Sequence, residues 1–154
     1  MRRGAIPLLL LPLLILIGCR GKPGRLAPPD GPLQPCPSTP NCVSTEATNA
    51  GHAMPPLPFT GTPQAALARA RAALLAEPRT RIVTERPGYL HAEARSRLLR
   101  FVDDVEVMVD EDARVVRFRS ASRLGRKDFG VNRARMERFG TRFRASADGA
   151  SASQ

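Results

Sequence analysis

The residues with the widest chemical range in this chain are three carboxylates and a group of arginines in its second half. Asp103, Asp104 and Glu106 stand within four positions, Arg100 precedes them, and Arg119, Ser120, Ser122 and Arg123 follow, with Asn132 and Arg133 further on. Carboxylates among guanidinium groups support two chemistries. As a structural ion-pair cluster they would fix the loop from Ser120 to Asp128 against a sheet, the commoner use of such networks. As a polar pocket at one sheet end, Arg119, Arg123 and Arg133 would grip an anionic group through bidentate hydrogen bonds. Metal binding by the carboxylates has less support, because their spacing is not that of a calcium loop and arginines flank them.

Catalytic readings are weaker. Asp103 and Asp104 are adjacent in a strand, so they point to opposite faces, which argues against joint acid–base action. The only histidines are His52 and His91. His91 alternates out of phase with Leu90 and Ala92, which predicts a place on the exposed face of a sheet. No serine stands in a tight Gly-x-Ser-x-Gly turn, and no glycine-rich phosphate loop occurs. The sequence therefore nominates no catalytic residue, metal ligand or cofactor. An envelope hydrolase using Asp103, Asp104 or Glu106 as acid or base is the enzymatic alternative.

Cys19 indicates where the chain works. Arg2 and Arg3 precede an apolar run from Ala5 to Ile17, and Gly18 stands directly before the cysteine. These parts resemble the lipobox of bacterial lipoprotein signal peptides, in which the chain is cut before a diacylated cysteine. The apolar run is also shorter than the roughly 17–25 residues of a spanning helix. Residues 1–18 are thus read as a signal, and Cys19 as a lipid anchor facing the periplasm. Arg20, where an aspartate would retain the protein at the inner membrane, favours the outer membrane. Residues 19–35 carry five prolines and three glycines without hydrophobic period and read as a flexible tether. The formal charge is +10, and an exported protein does not meet nucleic acid; the simpler reading is a solvated arginine-rich surface, and a partner for the charge would be an anionic envelope lipid or glycan. Cys36 and Cys42, an even pair in an oxidising compartment, favour a structural disulfide over free thiols or exchange chemistry.

The elements that position these groups follow from periodicity. Residues 43–61 are extended and stiffened by prolines, with apolar side chains expected across the surface. Thr62 and Pro63 open a helix whose apolar face holds Leu67, Ala70 and Leu74, and Pro78 ends it. Four strands are predicted: 81–86, 89–94, 105–109 and 114–120, the first two joined by a turn at Pro87-Gly88. A last helix is expected over 133–144, with Met136, Phe139 and Phe143 inward and Arg135, Arg138 and Arg142 facing water. Asn132 is its N-cap or the first polar group on the inner face. Residues 145–154 are small and polar and read as a disordered tail. The order predicts an α+β domain over residues 36–144: an antiparallel four-stranded meander with two helices on one face, preceded by a disulfide-closed loop.

Four ordered words run through this stretch: Cys36-Pro37-Ser38 with Pro40-Asn41-Cys42-Val43-Ser44, Arg100 to Glu106, Arg119 to Gly125, and Asp128 to Arg133. In order and spacing they resemble the bacterial domain of unknown function family 1499, from about Cys36 to Phe143. Arg126-Lys127 departs from the pattern by adding charge before Asp128. The resemblance implies an envelope lipoprotein or membrane-attached protein and carries no activity, cofactor or substrate with it. A non-catalytic binding or scaffolding module is the functional expectation, with a structural partner for another envelope protein as a further alternative.

Overall fold

The computed structural model describes residues 21–29 and 31–151. The signal segment and Cys19 lie outside them. The chain forms β1 (Cys42–Ser44), β2 (Leu57–Pro58), α1 (Pro63–Leu75), β3 (Thr80–Arg86), β4 (Tyr89–Arg95), β5 (Val102–Asp110), β6 (Val115–Ser122) and α2 (Val131–Ser151). Strands β3 to β6 make the expected antiparallel meander, but the sheet has six strands, in the order β1-β6-β5-β4-β3 with β2 also on β6. The two additional strands span three and two residues. Segments that short show no period of two, so alternation does not reveal them.

Alternation sets the register elsewhere. Leu90, Ala92 and Ala94 of β4, Val105, Val107 and Val109 of β5, and Val116 and Phe118 of β6 share one face. Both helices cover it. Thr62 caps α1, its hydroxyl accepting from the Ala65 N–H at 3.1 Å, and Ala66, Ala70, Ala73 and Leu74 supply the buried stripe. From α2 come Met136, Phe139 and Phe143, with Phe139 edge-on to Phe118 at 6.1 Å. Leu57 and Phe59, expected on the surface, are buried in this same core. The prolines around them hold the backbone extended, and pairing of β2 with β6 turns both side chains inward.

Helix α2 begins at Val131 and continues through Ser151, beyond the expected stop at Arg144. Three of the seven residues from 145 to 151 are alanine, which imposes the least helical cost, and no proline stops the run. Asn132 is fully buried and lies on the inner face, while Asp128 accepts from the Gly130 and Asn132 N–H groups at 3.0 Å and caps the first turn. Cys36 and Cys42 form the disulfide, with Cα atoms 5.6 Å apart.

The largest departure from expectation is the tether. Its described residues, 21–29 and 31–35, lie back across the sheet on the face opposite the helices. Ala27 and Leu33 are buried there with Tyr89 and Met108, and the Arg86 guanidinium donates to the Ala27 and Pro28 carbonyls. Proline restricts the unfolded chain, which lowers the entropy lost when an extended segment is laid on a surface. The proline content read as the mark of a flexible tether thus equally suits a strap. Strand β4 is buried on both faces as a result.

Phe139 ties α2 to the sheet from the centre of the helix-side core. Phe139→Ala should lower the unfolding free energy by about 3–5 kcal/mol in urea denaturation, the usual cost of such a cavity.

Candidate functional site

The sheet separates the residues that the sequence grouped together. On the strap side, Asp104 accepts from His91 Nε2 at 2.7 Å and from Arg123 through Nε at 2.9 Å and Nη2 at 2.6 Å. Since a carboxylate only accepts, His91 carries its hydrogen on Nε2. The same Arg123 Nη2 reaches Glu93 at 2.8 Å, and Arg81 holds the other Glu93 oxygen. Further along the same strand, Glu106 lies opposite Arg119, as a hairpin of these strands requires. Its carboxylate takes Arg119 Nη1 at 3.3 Å, the Tyr89 hydroxyl at 2.8 Å and the Ala27 N–H at 2.6 Å. His91 alternates to the face away from the helices, as its phase indicates, but it is buried, because the strap and long arginine stems cover that face.

On the helix side, Asp103 accepts from Arg135 Nη2 at 2.6 Å. Arg135 also donates to Ser120 Oγ and Asn132 Oδ1, and the Asn132 amide donates to the Asn41 carbonyl and to Ser122 Oγ. Arg135 is therefore inside and not in water. A helical stripe locates the apolar face, but not a guanidinium drawn in beside it by a buried aspartate. Glu77 is buried likewise, paired with Arg138 and Arg142. Arg133 donates to the Gly51 and Ala53 carbonyls and pins that loop.

Of the arginines proposed to grip an anion, Arg119, Arg123 and Arg133 are thus occupied by internal acceptors. Asp103, Asp104 and Glu106 are each held by a guanidinium. Asp103 and Asp104 do point to opposite faces. Among the described residues no group of three metal-ligating side chains occurs, and no helix is long and apolar enough to cross a membrane. Of the nominated cations, Arg100 alone is exposed with no ion-pair partner among the described residues.

Arg100 lies in a loop at one end of the sheet, where it lines a hollow with Arg79, Thr80, Arg81 and Arg95; the same loop borders a second, apolar feature. The β4–β5 loop (residues 96–101) and the β6–α2 loop (residues 123–130) flank a groove of about 430 Å³ lined by Leu98, Leu99, Phe101, Leu124, Phe129 and Val131. These six are most of the large hydrophobic side chains exposed among the described residues, led by Phe129 at 93% and Leu98 at 86%. Arg97, Arg100, Arg126 and Lys127 stand in the same loops, exposed, and none is in an ion pair among the described residues. Both carboxylates on the lining are engaged, Asp103 by Arg135 and Asp128 by the α2 N-terminus. Arg100 and Phe129 have φ of 54° and 55°, the left-handed region that a bulky aromatic rarely adopts. Strained, apolar and exposed loop tips point to binding. The signal is present in the sequence as leucine and phenylalanine inside segments otherwise built like turns.

Electrostatics separates the two regions further. Burial acts to raise the Asp104 carboxyl, but hydrogen bonds from His91 and Arg123 outweigh it and hold the pKa at about 2. Glu93 is likewise lowered, the hydrogen bonds from Arg81 and Arg123 overcoming burial. Folded values below the unfolded ones mean that this stabilisation is complete above about pH 5 and is lost as the pH falls toward 2. Tyr89 behaves oppositely: burial first, and the Glu106 carboxylate second, push its hydroxyl above the ordinary 10. Its contribution is complete below about pH 10 and is lost in alkali.

Arg123→Ala would leave Asp104 and Glu93 buried without their shared cation. A loss of about 3–5 kcal/mol in urea unfolding near neutral pH is expected. The decline in stability below about pH 5 should also become shallower, since two depressed carboxyls return toward their unfolded values. Tyr89 is the one tyrosine and the chain has no tryptophan, so absorbance titration reads it alone. The folded chain should show no tyrosinate at about pH 10, where the urea-unfolded chain is half ionised.

No curated protein and no solved structure matches the chain. The family described as "Protein of unknown function (DUF1499)" matches residues 32–143, from the end of the strap to the last core aromatic of α2. The chain belongs to the DUF1499 family.

Proposed function

We propose that this chain is a lipid-anchored, non-catalytic binding module of the bacterial cell envelope, held by Cys19 at the periplasmic side of the outer membrane. Its ligand is an anionic amphiphile with an acyl or similar apolar portion. The observation that carries this reading is the groove at the loop end, with apolar walls and with Arg97 and Lys127, in no ion pair among the described residues, on its lining. Pockets for small ligands are mostly apolar with a few convergent polar groups. An anion in the groove meeting Arg97 or Lys127 would gain charge-assisted hydrogen bonds. The internally paired Arg119, Arg123 and Arg133 are better suited to supporting the site than to touching a ligand.

Two measurements test the reading separately. Labelled palmitate should enter the exported chain and be absent from a Cys19→Ala variant; equal labelling of both removes the anchor. Residues 20–154, exported without a lipidation site, should carry an amphiphile-sized adduct in native mass spectrometry. Leu99→Asp, at a side chain 64% exposed, should abolish the adduct without altering the melting temperature. An adduct-free wild type, or an adduct unaffected by Leu99→Asp, overturns the groove as the binding site.

A further inference from the structure

We infer that the loop end is a docking surface for an anionic phospholipid leaflet, so that the domain stands end-on against the membrane that holds its anchor. The inference rests on three observations, the last of which depends on the anchoring proposed above.

The first is shape. Phe129 and Leu98 are almost wholly exposed, so their side chains project from the loop tips and are not sunk in the groove. Such projecting apolar groups bury themselves at the boundary of head groups and acyl chains. The second is charge. Arg97 and Lys127 line the groove with these apolar groups, Arg100 and Arg126 are exposed in the same two loops, and the carboxylates at the groove are internally bonded. The stems of such side chains can lie along acyl chains while their heads meet phosphates. The third is the path of the strap. Gly21 is seated against this same end: a Cβ there would stand 3.0 Å from both Arg123 Cβ and Leu124 Cγ, and its φ is +52°. Cys19 precedes Gly21 by two residues, a span of about 7 Å at most. Acyl chains on Cys19 are therefore delivered beside the apolar loops, whereas the turns at Pro87-Gly88 and 111–114 lie at the far end of the strands.

The absence of tryptophan from the chain permits a direct test. In unlipidated residues 20–154, Phe129→Trp places a single reporter at the loop tip, and Glu111→Trp places one at the opposite end. Vesicles of phosphatidylglycerol mixed equally with phosphatidylcholine should shift the emission of the loop-tip reporter to the blue and allow its quenching by brominated acyl chains. The reporter at position 111 should not respond, and pure phosphatidylcholine should bind roughly tenfold more weakly, as the loss of the electrostatic attraction requires. Leu98→Glu, at an exposed position, should reduce vesicle cosedimentation roughly tenfold while the circular dichroism is unchanged. A silent loop-tip reporter, equal responses from both reporters, or wild-type cosedimentation of Leu98→Glu overturns the docking surface. A silent loop-tip reporter with the amphiphile adduct retained refutes docking and leaves the groove reading standing. A responsive one with no adduct does the reverse.

Discussion

Two carboxylates, Asp104 and Glu106, are buried on the side of the sheet that no helix covers, and much of the fold is arranged to neutralise them. A carboxylate taken out of water costs several kcal/mol unless paired and hydrogen-bonded. Arg123 and His91 meet Asp104, while Arg119, Tyr89 and the Ala27 N–H meet Glu106. That last contact gives the strap a structural role: a backbone donor of the N-terminal segment completes the coordination of a side chain in the central hairpin. The second carboxylate system, Asp103 with Arg135, joins α2 to the sheet from the opposite face. Between them the two systems clamp the meander from both sides.

This arrangement explains why a chain so rich in arginine does not present its most conspicuous arginines as a binding surface. Their geometry is set by internal acceptors, and removing Arg119 or Arg123 leaves a buried carboxylate behind. The loops at the sheet end are built on the opposite principle. They carry exposed apolar side chains, and cations that form no ion pair among the described residues, on backbone held partly in the left-handed region. In the proposed function, support and contact are divided between different residues, the charged sheet supplying rigidity and the loop tips the contact.

Much of this is legible in the residues. The period of two places β3 to β6 and the face of each side chain, including the divergence of Asp103 and Asp104. The helix at Pro63 is marked by its cap, and the inner stripe of α2 by Met136, Phe139 and Phe143. Alternation assigns a face but does not say what covers it, and for that reason it sends His91 into solvent. The cover is a strap far away in sequence and lacking any period. Arg135 is misplaced for a related reason, since a helical stripe does not register a long-range aspartate. The groove is hidden because apolar residues in loops have no periodicity to reveal them, and only the fold brings the two loops side by side.

The central claim is that contact is made by the loop end and that the charged sheet face is structural. Hydrogen–deuterium exchange of the lipid-anchored chain on phosphatidylglycerol-containing membranes, compared with the same chain in detergent-free solution without its anchor, tests this most directly. The account predicts slowed exchange confined to residues 96–101 and 123–130, with the strap and the β5–β6 turn unchanged. Protection at the β5–β6 turn, or faster exchange along the strap as it lifts from the charged face, would contradict it.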